Sequence, residues 1–173
     1  MVLGMALFGS AFLAIGAPNF SGSWVRDNAS SDPAPTTLWL TRAAPARGGG
    51  GGGGRGPGGG RGNAGPMPMI VQQDAGSLQV TEPQGGMHKY TLDGKPHNSI
   101  TETDMGKAVV TASLQGDTVV IGTTRPYGGM PGNVTLQVKE VWSLSPDGKI
   151  LTITTTDTSP AVEKTSKQVY NRK

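Results

Sequence analysis

Asn133-Val134-Thr135-Leu136-Gln137-Val138-Lys139-Glu140-Val141-Trp142-Ser143-Leu144 runs straight into Ser145-Pro146-Asp147-Gly148. Val134, Leu136, Val138, Trp142 and Leu144 alternate with Thr135, Gln137, Lys139 and Ser143. A period of two places the first set on one face of an extended strand. Glu140 falls in the apolar set and Val141 in the polar one. A one-residue bulge explains both departures and turns Glu140 to solvent. That reading is favoured here, because bulges recur in bent barrel strands. The competing reading keeps Glu140 inside and aimed at a ligand. Its partner would be Arg125, which shares phase with Val119, Ile121 and Thr123, because a charge on an apolar face is costly unless paired.

The Pro146-Asp147-Gly148 turn leads into a second extended run, Lys149 to Thr156. The same punctuation recurs at Asp74-Ala75-Gly76, Leu92-Asp93-Gly94 and Gln115-Gly116-Asp117. Tight hairpins join antiparallel neighbours, whereas parallel strands need long crossovers. Further strands are expected at Asn19–Asp27, Thr36–Arg42, Met69–Gln73, Ser77–Glu82 and Met87–Leu92. A short one is expected near Asn98–Glu102, followed by Lys107–Leu114, Thr118–Thr124 and Glu163–Asn171. The fold expected is all-β: an antiparallel up-and-down meander closing into a small barrel of about eight to ten strands.

Residues 43–68 interrupt this meander. Gly48 to Gly54 is followed by Arg55-Gly56-Pro57-Gly58-Gly59-Gly60-Arg61-Gly62, which cannot bury enough apolar surface to offset its backbone entropy. The segment reads as a disordered Gly-rich loop inserted in an early hairpin. Arg42, at its edge, and Arg47, Arg55 and Arg61 within it lie between Arg42 and Pro66 without an acid; without these four, the 15 Lys and Arg fall below the 12 Asp and Glu. The pI near 9.3 therefore belongs to the insert and not to the folded body. Arg-Gly repeats suggest RNA, but the segment has no Tyr or Phe to interleave with bases, and nucleic acid is not the expected partner.

Residues 1–17 read as a signal peptide. The apolar run Met1 to Gly16 is too short to span a bilayer comfortably, and small residues Ala14, Gly16 and Ala17 follow its core. The positive n-region is missing, since the first basic residue is Arg26. A secreted or periplasmic protein is expected, with one domain over 18–173 and no membrane span once mature. The absence of Cys excludes disulfides, thiolate chemistry and a cysteine-linked lipid.

Asn19-Phe20-Ser21-Gly22-Ser23-Trp24, then Ser31-Asp32-Pro33, resembles the start of small exported bacterial proteins of lipocalin-like type. Glu140 to Lys149 and the terminal Gln168-Val169-Tyr170-Asn171-Arg172-Lys173 resemble the same group. The wider calycin superfamily carries Gly-X-Trp near its N-terminus and a basic residue from the last strand over that Trp. The resemblance implies that Gly22 and Trp24 form the first element and that Arg172 stacks on Trp24, which plugs one barrel end as a structural contact.

No Gly-X-Ser-X-Gly elbow, phosphate loop or His-Glu-X-X-His occurs in the sequence. The two histidines, His88 and His97, fit no zinc spacing. No catalytic residue, metal or cofactor is assigned. His88 and Tyr90 share phase with Leu92, either as polar anchors in a pocket or on the outer surface; the usual exposure of His favours the latter. The expected role is non-catalytic binding of a small, largely apolar molecule by a monomer. Leu38, Leu40, Leu78, Val80, Val119 and Ile121 would line the lumen with Val138 and Trp142. Tyr90, Arg125 or Glu140 would orient the ligand. The rivals are an envelope protein with a filled barrel, and a hydrolase or isomerase on the same scaffold.

Overall fold

In the computed structural model, residues 17–33, 67–83, 86–103, 106–127, 134–159 and 162–173 are described. They form ten strands and no helix: β1 (Gly22–Arg26), β2 (Met69–Gln73), β3 (Ser77–Thr81), β4 (Met87–Thr91), β5 (Asp93–Thr103), β6 (Gly106–Gln115), β7 (Thr118–Tyr127), β8 (Val134–Leu144), β9 (Ile150–Ser159) and β10 (Val162–Arg172). The expected strand Thr36–Arg42, with Leu38 and Leu40, lies outside the described residues, as do residues 1–16 and the Gly-rich run.

All ten strands belong to one antiparallel sheet in the order β4-β3-β2-β1-β10-β9-β8-β7-β6-β5. The first strand meets the last, with Trp24 opposite Arg172 and Arg26 opposite Tyr170. The gap in the wall falls in the middle of the chain. The turn expected at Leu92-Asp93-Gly94 is no hairpin, because β4 and β5 do not pair with each other. The Leu92 amide instead donates to the Gly76 carbonyl at 2.8 Å. Gly94 (φ +72°) turns the chain across the seam in the left-handed region that glycine tolerates. β4 comes against β6, leaving a nearly closed barrel. The short strand expected near Asn98 is part of the longer β5, whose pairing with β6 shifts register between Asp93 and Pro96 and again between Asn98 and Glu102.

The bulge expected in β8 is absent. β8 pairs without a register break with β7, from Thr118↔Ser143 to Tyr127↔Val134, and with β9, from Val138↔Asp157 to Leu144↔Leu151. Leu136, Val138, Glu140 and Trp142 are therefore all inward and buried. Glu140 stays inside because it is hydrogen-bonded there: Trp142 Nε1 donates to its Oε2 at 2.9 Å. A carboxylate held by donors avoids much of the cost of an isolated buried charge.

Inward side chains of successive strands meet around one core. Trp24, Trp142, Phe20, Leu78, Val119, Leu151 and Ile153 are within 1% of complete burial. The outer faces carry Gln137, Lys139, Thr158 and Lys167, all exposed. This in–out alternation selects the register, because a slip of one residue would expose the whole apolar set.

Candidate functional site

The barrel interior is built in layers, and the register fixes their order. At the end where the turns 74–76, 115–118 and 145–149 lie, the chain forms a floor. Trp24 is fully buried and its Nε1 donates to the Phe20 carbonyl at 3.0 Å. The Arg172 guanidinium carbon sits 4.5 Å from the Trp24 ring centroid. Its two terminal nitrogens donate to Ser21 O at 3.0 Å and Asn19 O at 3.1 Å. Gly22 lies beside this stack; a Cβ there would meet Arg172 Nη1 at 3.5 Å. Planar charge on an aromatic face, fixed by two carbonyls, is a rigid cap.

Above the floor comes an apolar layer. Val119 pairs with Trp142 and Trp142 with Ile153, while Leu78 pairs with Tyr90 and Val80 with His88. Tyr90 is 9% exposed and belongs to the core cluster. The outward reading favoured for it is thus corrected: Tyr90 shares the inner face with His88, whose ring lies 6.5 Å away, centroid to centroid. Burial of Leu78 and Val80 by the facing strands sets this phase for β4 as well as β3.

Towards the other end, where the connections 127–134 and 159–162 lie, the interior turns polar. Ile121 lies opposite Glu140, Glu140 opposite Thr155, and Thr155 opposite Ser166. One step further out are Thr123, Val138 and Asp157 at matching level. Arg125 stands level with Leu136, four residues along β8 from Glu140. Arg125 and Glu140 are each 3% exposed, Asp157 7%, Ser166 5%, Gln168 2% and Thr155 1%. Burial lowers the pKa of Arg125, although a guanidinium remains charged in proteins. Thr155 Oγ1, Asp157 Oδ1 and Ser166 Oγ are buried with no hydrogen-bond partner among the described residues.

The structure therefore gathers Tyr90, Arg125, Glu140, Trp142, Val119 and Ile121 inside one barrel. Thr155, Asp157, Ser166 and Gln168 were not among the expected site residues. Their signal was present: Thr155 and Asp157 continue the phase of Leu151 and Ile153. It was hidden because β9 carries Thr on both faces, at 152, 154, 155 and 156.

A concavity of about 650 Å³ lies on the outer wall, lined by Gly94, Pro96, Val109, Thr111, Gly122 and Lys139 among others. A Cβ on Gly122 would fall 2.8 Å from Thr111 Oγ1. Among the described residues no helix is long and apolar enough to cross a membrane. Comparison of the chain with protein-family models, curated proteins and solved structures gives no match, and what stands is an all-β, nearly closed ten-stranded antiparallel barrel compatible with a lipocalin-like fold.

Proposed function

We propose that this chain is an exported, calycin-like binding protein that holds a small, largely apolar ligand non-covalently inside its barrel. One observation carries the reading. The interior has an apolar lower half and an upper layer in which Thr155 Oγ1, Asp157 Oδ1 and Ser166 Oγ lack partners among the described residues. Native proteins pair nearly all buried polar groups, and those left over ask for an external partner. A barrel packed solely for its own stability gains nothing from three such atoms, since each costs about 1–3 kcal/mol. The apolar body of the ligand lies against Val119, Ile121 and Val138, with Tyr90 and Trp142 as aromatic contacts. No bond-making step is assigned to any residue.

The filled-barrel reading draws on Phe20, Trp24 and Trp142, large side chains with 0% exposure that occupy the lower interior. Native mass spectrometry of protein purified from its source decides between them. A small molecule that survives gentle ionisation and is released by denaturation supports binding. A bare polypeptide mass, with no uptake from a lipid extract, overturns it. Export is tested by N-terminal sequencing: a mature chain beginning near Ala17 supports it, and an intact Met1 overturns it.

A further inference from the structure

We infer that the ligand held in this barrel carries a protonated amine, seated on Asp157, Thr155 and Ser166. The inference rests on the lumen-binding reading above and adds the chemistry of the head group. Thr155 and Ser166 face each other across β9 and β10, which puts their Cα atoms about 5 Å apart. Asp157 follows Thr155 on the same face of β9, about 7 Å along. Each side chain is at least nine-tenths buried, and each presents an oxygen without a partner among the described residues. Two hydroxyls and a carboxylate therefore converge on one patch of the inner wall.

The donor–acceptor inventory narrows the guest. An ionised Asp only accepts, whereas Ser and Thr both donate and accept. An ammonium offers three donors and one positive charge, which matches three oxygens of which one belongs to an anion. A ligand hydroxyl satisfies one or two of them and leaves the carboxylate charge uncompensated. A ligand carboxylate sets a second anion beside Asp157 and is repelled. The other charged groups nearby do not reverse this sign. Glu140 on β8 adds negative charge, and it and Arg125 on β7 already engage partners. Lys164 lies opposite Asp157 on β10 but is exposed, and Asp157 Oδ1 has no hydrogen bond to it. The amine therefore sits in the polar layer, and its hydrocarbon lies against Val138, Ile121 and Trp142 below.

The test is calorimetric titration of the full chain with n-decylamine, n-decanol and n-decanoate at neutral pH, below their aggregation limits. Charge-assisted hydrogen bonds predict amine binding roughly tenfold or more tighter than alcohol binding. Asp157→Asn lowers the amine affinity and removes most of that advantage. Lys164→Met leaves the amine preference intact, because Lys164 is not the group that Asp157 serves. If Asp157→Asn fails to fold, Thr155→Val and Ser166→Ala carry the same comparison, each narrowing the gap between amine and alcohol. A decanoate affinity equal to or above that of the amine overturns the head-group assignment alone. So does an amine advantage that survives Asp157→Asn. If none of the three binds, the lumen-binding reading falls with it.

Discussion

Trp142 shows how one side chain can hold a charge inside an apolar wall. Its indole N–H reaches Glu140, two residues away on the same face, so the carboxylate and the donor bury each other. Removing the carboxylate strands the donor. Glu140→Leu should cost about 1–3 kcal/mol of stability, read as a lower urea midpoint with an unchanged slope. Glu140→Gln keeps an acceptor for the indole and should cost less. The Arg172 stack makes a parallel case at the floor. Arg172→Ala loses the ring contact and both carbonyl bonds, and should destabilise by about 1–2 kcal/mol. Arg172→Lys should recover little of this, because an ammonium cannot span Asn19 O and Ser21 O while lying flat on the ring.

The alternation of β8 was legible in the sequence, and so were the ends of β2, β3, β6 and β7 that face the turns 74–76 and 115–118, because a tight turn joins each of those pairs. Glu140 was misread because a charge on an apolar face looks like a slipped register until its hydrogen bond is seen. The seam was illegible for a different reason. Leu92-Asp93-Gly94 has hairpin chemistry, and nothing local distinguishes a chain that folds back from one that crosses a gap. Pro96 and the register shifts likewise concealed the length of β5.

Hairpins and loops carry their own electrostatics. Asp74 accepts from Ser77 Oγ at 2.8 Å and from the Gly76 and Ser77 amides. Asp147 accepts from Ser145 Oγ at 2.6 Å and from the Lys149 amide. These bonds hold both carboxyls below their ordinary value of 3.8, as the Ser30 hydroxyl and Ala29 amide do for Asp27. A depressed folded-state pKa means that the unfolded chain binds more protons in acid. Stability from these turns is therefore complete above the ordinary carboxylate range and is lost as pH falls through the folded values. The urea midpoint should be flat from neutral pH down to about 5 and fall below about 4. The double variant Asp74→Asn, Asp147→Asn should flatten that acid limb. Between β6 and β7 the close approach of Gly122 and Thr111 gives a steric test. Gly122→Ala should destabilise by about 1–3 kcal/mol, and Thr111→Ala should relieve most of it in the double mutant.

At the scale of the whole molecule, the wall is continuous from β4 through β1 and β10 to β5, with one seam. Amides on the seam sides of β4 and β5 should lead hydrogen exchange, while those of β8 and β9, paired on both sides, should exchange last. The Gly-rich run joins β1 to β2, which are already in register at Gly22↔Val71 and Trp24↔Met69. Loop-closure entropy changes by only about 0.6 kcal/mol per doubling of length. Deleting residues 48–62 should therefore leave the thermal midpoint nearly unmoved.

The pairing of Trp24 with Arg172 also imposes an order of events during synthesis. β1 keeps one edge open until β10 has been made, since β10 takes that place. Until that strand arrives, the open edge is a template on which another chain can pair.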